Sequence, residues 1–451
     1  MVLPRELPTP DAALLGVERS LAGRRWVLRA VDDRLARTLA QRHGLPELVA
    51  RLLAGRGIGL DEAAAYLEPT LRASLPDPAC LMDMERAAGR IARAILDGET
   101  IAVFGDYDVD GATSSALLLR YLRGLGTPTL LHIPDRIAEG YGPNAPALLA
   151  LKERGAGLVI TVDCGTTAHA PLAAAAEAGI DVVVLDHHAV EARLPPAFAV
   201  VNPNRLDDDS GLGQLAACGV TFLALVATSR ALRAGGFFAG RGEPDLLGLL
   251  DLVALGTVCD VVPLAGLNRP LVAQGLKVLA RRRNPGLAAL ADVARVAEQP
   301  TAYHLGYLLG PRINAAGRIG QADLGTRLLS TDDPAEAADI AALLDSHNED
   351  RKAIEAEVQR AATALLDGRD DPGPVSLGAG EGWHPGVVGI VAGRLKVRYV
   401  RPACIVALEG GIGRASCRSV PGVDIGAAVA EARDAGLLES GGGHPMAAGF
   451  T

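Results

Sequence analysis

The sequence predicts an α/β chain in which a parallel-sheet domain is joined by one long helix to a smaller, glycine-rich domain. Three observations carry this. Short β-branched runs recur at 101–104, 129–133, 158–162, 182–185 and 198–201, with helical stretches between most of them. That alternation marks a parallel sheet covered on both faces. A helical pattern then runs from Pro334 to about Leu366, with a first-turn proline and Gly368 just past its end. Beyond Asp371-Pro372-Gly373-Pro374, which punctuates a boundary, the segment 375–451 is smaller and rich in glycine.

A chain of 451 residues has room for two or three domains and a large core. Hydrophobic residues make up 49%, yet no segment is expected to reach the apolar length of a membrane span. No signal-peptide pattern opens the chain, so the expectation is a soluble, cytoplasmic protein without membrane contact. The six cysteines lack CxxC spacing and read as reduced thiols. A net charge of -9 does not by itself point to nucleic acid, although a local basic stripe would suffice. Aromatics at 3% make extensive base stacking unobvious.

In chain order, residues 1 to about 95 read as mostly helical, with breaks near Leu45-Pro46 and Pro76-Asp77-Pro78. The strand at 101–104 runs into Gly105-Asp106-Tyr107-Asp108-Val109-Asp110-Gly111, and helical spacing resumes over 112–123. Asp106, Asp108 and Asp110 therefore crowd the turn at the carboxyl edge of the sheet, where ligands bind. Their repulsion calls for compensating positive charge, most economically a divalent metal. The competing reading is a solvated, helix-capping turn. The theme repeats, however. Strand 158–162 ends in Asp163, strand 182–185 in Asp186-His187-His188, and the apolar run 252–259 in Asp260. Acidic and imidazole groups at four such ends converge on one edge.

Residues 311–320, with Arg312, Asn314 and Arg318, read as a loop rich in small residues that offers amides and guanidinium forks to phosphate. The 334–366 helix reads as a rigid connector with a solvated charged face. In the last segment, glycines bracket His384, then Ser416 and Arg418, then His444, which suits a backbone brought close to a phosphate or base.

Asp108, Asp110, Asp163, Asp260 and His187 supply hard oxygen ligands and one imidazole. That set suits Mn2+ or Mg2+ better than zinc. Four or more carboxylates exceed the needs of one ion, which points to two metals sharing a bridging carboxylate, the device of phosphoester hydrolysis. His188 either holds substrate phosphate or packs.

These ordered motifs resemble those of the DHH phosphoesterase superfamily: Asp106 to Gly111, Val162-Asp163-Cys164-Gly165, Asp186-His187-His188 and Asp260 to Leu264. Pro311 to Gly320, Trp383 to Ala392 and Gly441 to Gly449 are similar to the remaining motifs of the RecJ family within it. The resemblance spans roughly residues 45 to 451. It implies a helical region over 1–95 packing on a DHH catalytic domain over 96–325, a connector over 326–370 and an α/β DHHA1 domain over 371–451. It implies 5′-to-3′ hydrolysis of single-stranded DNA to mononucleotides, in repair and recombination, with two Mn2+ ions or Mg2+ as substitute. Single-strand-binding protein and a RecQ-type helicase are the implied protein partners. Asp108 and Asp163 would hold one metal, and Asp110, Asp163, His187 and Asp260 the other. Arg312, Asn314, Arg318, His384, Ser416, Arg418 and His444 become candidate substrate contacts, with Arg312 and Arg418 as the phosphate clamps.

Two departures stand out. Pyrophosphatase-like members place a histidine where this chain has Phe104, so either Asp106 substitutes or the first metal is held loosely. The chain ends at Thr451, directly after the last motif, where RecJ proteins usually continue into an oligonucleotide-binding barrel. The expectation is a truncated chain or minimal core, with lower DNA affinity and a final sheet short of a closing strand. Two other functions compete: a phosphodiesterase of short oligonucleotides or cyclic dinucleotides, and a non-enzymatic replication scaffold on a DHH fold.

Overall fold

A computed structural model describes residues 12–451 apart from 22, 137 and 370–372. The chain divides into two compact units, Met1–Leu75 and Pro76–Thr451. The first is helical. Asp33–His43 is capped by the Asp32 carboxylate, which accepts from the amides of Arg34 and Leu35. This helix closes a small core with Glu47–Gly55 through Leu39, Ala50 and Leu53. The division at Leu75/Pro76 differs from the expected boundary near 95. Helix Met84–Asp97 buries Ile91 and Ile95, and its Arg90 is paired to Glu99 and Asp181 beside the sheet. Helical content alone had grouped it with the preceding helices.

The second unit is built on five parallel strands: β1 (Thr100–Gly105), β2 (Thr129–His132), β3 (Ala156–Val162), β4 (Asp181–Leu185) and β5 (Ala199–Val201). Their order is β2-β1-β3-β4-β5. The chain leaves β1 to one side for β2 and returns to the other for β3, so the topological switch point lies between β1 and β3. All five runs read from the sequence are strands. Phe104, Val159, Val182 and Val184 on one face pack under Leu148 and Leu172 of the covering helices.

Two segments depart from expectation. The apolar run ending at Asp260 is a helix, Leu250–Cys259, with every residue through Thr257 buried. A short apolar run buried on all sides has no periodicity to separate strand from helix. Residues 311–320 are not a loop but belong to helix Gly310–Ile319, entered through a π-helical turn, His304–Leu309. Its small residues serve close packing: a Cβ on Gly317 would lie 2.7 Å from the Tyr107 carbonyl.

The connector helix is Pro334–Asp367, capped at Asp333 and about 51 Å long at 1.5 Å per residue. Ala337, Ile340 and Leu344 are buried in its first half, whereas Val358, Ala362 and Leu366 pack with Val387, Val391 and Ile405 of the last domain. That domain carries β6 (Ser376–Glu381), β7 (Ala403–Glu409), β8 (Ile412–Arg418), β9 (Gly441–His444) and β10 (Ala447–Phe450) in the order β6-β7-β8-β10-β9. The final strand, β10, lies between β8 and β9 and is paired with both.

One helix, Ala217–Ala234, is long and apolar enough to cross a membrane, contrary to the reading of composition. Two-thirds of it is buried inside the unit, as a core helix would be.

Candidate active site

The register of the sheet assembles the site. Gly105 pairs with Val162, and Val162 with Leu185, so Asp106, Asp163 and Asp186 follow at one level on three adjacent strands. Asp163 adopts a left-handed backbone (φ 60°), and so does Val261 next to Asp260 (φ 63°). For a β-branched residue that conformation is strained, and such strain concentrates at functional sites. Asp108 caps helix Val109–Gly124, accepting from the Gly111 amide at 3.0 Å. Gly111 permits the turn, since a Cβ there would lie 2.5 Å from the Asp106 carbonyl oxygen.

Asp110 is buried in the first turn of that helix. Its oxygens accept from the amides of Ala217 (2.6 Å) and Cys218 (2.9 Å) at the start of the next buried helix. His187 Nε2 lies 3.3 Å from Asp163 Oδ1, 3.6 Å from Asp260 Oδ2 and 3.8 Å from Asp110 Oδ2. Three clusters with ligand atoms mutually within 4.8 Å result among the described residues: Asp110-His187-Asp260, Asp106-Asp108-Asp163 and, joining them, Asp163-His187-His188. Asp163 Oδ1, His187 Nε2 and Asp260 Oδ2 are buried without any hydrogen-bond partner.

Burial, reinforced by the charges of Asp108, Asp110 and Asp106, pushes the Asp163 carboxyl well above its usual range. Burial and Asp108 do the same to Asp106. Burial with Asp110 and Asp108 lifts Asp260 to about 8. Buried polar atoms aimed at one another and acids resisting ionisation are what a divalent cation corrects. The donor set of carboxylates plus one imidazole suits a hard ion.

Asp186 plays a different part. Its oxygens accept from the backbone of Thr166, His187 and His188 and from His188 Nδ1 at 2.7 Å. Burial would raise its pKa, but the His188 hydrogen bond and charge prevail and hold it low. Burial would lower His188, yet Asp186 lifts it to about 9. His188 is thus a cation at neutral pH, locked beside the acidic cluster.

The substrate candidates separate into groups. Arg318 is pushed down to about 10 by burial and by the charges of Arg136, Arg351 and Arg418. Arg318 donates to the Gly386 carbonyl, and Arg418 to Ser416 Oγ and the Cys417 carbonyl. The guanidiniums of Arg136, Arg318 and Arg418 repel one another, a pattern that an anion relieves. Arg136, whose guanidinium lies 5.1 Å from the Tyr107 ring centroid, escaped sequence reading, for it stands alone in a polar stretch. Arg351, expected on a solvated face of the connector, is instead mostly buried and held by Glu355 (2.5 Å) and Asn348 (2.9 Å). Arg312 lies outside this group. It is bound to Asp345 of the connector (2.8 Å) and to the Leu308 carbonyl (2.7 Å) at the π-helical turn. Pro311 cannot extend the helical ladder there, so Arg312 reads as a structural brace rather than a free phosphate clamp.

Asn314 is half-buried on the same helix as Arg318. His384 caps helix Pro385–Tyr399 through the Gly386 amide, and burial lowers its pKa. His444 Nδ1 accepts from the Met446 amide at the β9–β10 turn.

Comparison with known proteins places these features in context. The model of the DHH family, N-terminal domain, matches residues 100–257, and that of the DHHA1 domain residues 372–451. The chain is 41% identical to the single-stranded-DNA-specific exonuclease RecJ of Dickeya dadantii, over 90% of this chain and 72% of that protein. It is 37% identical to the RecJ of Bacillus subtilis, over 95% of this chain. It spans about half of that relative's length, 53%. The structure is similar to that of RecJ from Thermus thermophilus in complex with Mn2+, with a TM-score of 0.79 and 34% identity over 94% of this chain and 59% of the other. The Mg2+ complex of the same protein matches with a TM-score of 0.72 and 32% identity, over 94% of this chain and 57% of the other.

Proposed function

We propose, from the premise that this chain belongs to the RecJ family of single-stranded-DNA-specific exonucleases, that it hydrolyses single-stranded DNA from the 5′ end to mononucleotides. The observation that carries the reading is the pair of acidic clusters joined through Asp163 and His187, with buried ligand atoms of Asp163, His187 and Asp260 left unpartnered.

Asp110, His187 and Asp260 would hold one divalent ion and Asp106 and Asp108 a second, with Asp163 shared. Asp106 then stands in for the histidine that Phe104 replaces. Mn2+ is the favoured metal and Mg2+ its substitute. A bound ion supplies charge neutralisation on phosphoryl oxygens and acidifies water. The protein's own groups do the rest. Asp186 keeps His188 protonated, so that its Nε2, which lies 3.4 Å from Tyr141 Oη, donates to a phosphate oxygen in that hydroxyl's place. Arg318, Arg418 and Arg136 receive backbone phosphate, and Ser416 orients Arg418. The site acts on DNA in the cytoplasm, in repair and recombination, where single-strand-binding protein and a RecQ-type helicase would supply its substrate.

The test is a time course with Mn2+ on single-stranded DNA labelled at either end. Immediate release of a 5′ label, with a shrinking ladder from the 3′-labelled strand, is expected. Cleavage of dinucleotides alone would replace this reading with a small-oligonucleotide phosphodiesterase.

A further inference from the structure

The chain is poor in aromatic residues, and Phe104, Tyr121 and Phe222 are fully buried. Tyr303 and Tyr307 do the opposite. They are 60% and 71% exposed, their ring centroids lie 5.1 Å apart and their planes are inclined by only 24°. An i, i+4 ring pair steadies a helix slightly. It does not require both rings in water, and the metal centre makes no use of them.

Their helix joins them to the site. Its inner side is buried through His304, Leu305, Leu309 and Ile313. The Cys259 thiol, next to Asp260, donates to the Leu305 carbonyl, and Gly310 is pressed against the same cysteine. Tyr307 lies in the π-helical turn that runs straight into the helix bearing Asn314 and Arg318, which share one face at a spacing of four. Tyr307 thus precedes Arg318 by about three turns of one continuous helix.

We propose that Tyr303 and Tyr307 form a stacking platform for the nucleobases of a single strand whose phosphates are held at the Arg318 end of the same continuous helix. The inference rests on the exonuclease reading and names a further contact for its substrate. Stacking on tyrosine tolerates any base, because every base has a π-face. It would also give an acidic chain a grip on DNA that depends little on net charge.

The test compares the full chain with Y303A/Y307A and Y303F/Y307F, by fluorescence anisotropy without divalent metal. The probes are a 20-nucleotide single strand and an abasic strand of the same length. The alanine pair should weaken binding of the base-bearing strand by about tenfold or more. It should leave the abasic strand unchanged, and the phenylalanine pair should bind like the parent. Equal loss on both strands, or unchanged affinity for the base-bearing one, would overturn the platform. A parent chain that prefers the base-bearing strand yet cleaves no DNA would sink the exonuclease reading alone; a parent that binds neither strand would sink both.

Discussion

Asp163 Oδ1 and His187 Nε2 face each other at 3.3 Å without a hydrogen bond between them, and both atoms are buried without a partner. Neither group gains from the other in this arrangement. Together with Asp260 Oδ2 they form a void of unmet polar demand at the switch point of the sheet, and the first prediction concerns that demand.

Asp163→Asn removes the ionisable group shared by Asp106-Asp108-Asp163 and by the cluster that joins it to His187. Because burial and neighbouring charge already resist ionisation of Asp163, the metal-free variant should melt at or above the parent's temperature. Added Mn2+ should stabilise the parent by about 3 kcal/mol at a hundredfold excess over Kd, read as a higher Tm, and leave the variant's Tm unmoved. Hydrolysis should fall to background. A variant that retains the Mn2+-dependent rise would remove Asp163 from the metal site.

Arg418→Ala and Arg312→Ala should part company. The first removes a member of the guanidinium cluster, so DNA binding should weaken and its slope against log salt flatten by about 1. The second breaks the brace to Asp345 and the Leu308 carbonyl. It should lower Tm while leaving that slope intact. A flattened slope for Arg312→Ala would restore it as a phosphate contact.

Gly317→Ala places a methyl group 2.7 Å from the Tyr107 carbonyl, which sits between Asp106 and Asp108. The helix must back away from the metal-binding turn, and overpacking of this kind costs about 1–3 kcal/mol. Lower Tm and a raised Mn2+ requirement are expected. Parent-like metal titration would show that the turn does not lean on this helix.

Asp251 is buried at the start of helix Leu250–Cys259, and burial raises its pKa from 3.8 to about 6 despite the Leu252 amide and Arg120. A carboxyl that is harder to ionise folded than unfolded costs stability once ionised. The cost grows from about pH 4 to about pH 6 and is constant above, reaching about 3 kcal/mol at most. Asp251→Asn mimics the protonated form, so thermal melts should show it stabilised at pH 7 and equal to the parent near pH 4. A gain at pH 4 as large as at pH 7 would refute the charge explanation.

The motifs at strand ends were legible because each is a local event. A β-branched run, a carboxylate and a glycine turn sit within ten residues of one another, and parallel order brings such ends together. The same logic misread Asp260, which arrives on a buried helix, and the 311–320 segment, whose small residues pack a helix rather than open a loop. Arg312 looked like Arg318 in sequence because both flank the same small-residue run.

By itself the sequence determined the five parallel strands, the acidic and imidazole groups at their ends, the connector and the presence of a second, smaller domain. Those features follow from periodicity and capping, which act over a few residues. The tertiary structure decided which charges are spent and which are left over. Asp345 takes up Arg312, Glu355 takes up Arg351, Asp186 takes up His188, and Arg136, Arg318 and Arg418 are drawn into one cluster from positions up to 282 residues apart. Pairing and repulsion between charges fall off with distance in space, to which distance along the chain is no guide.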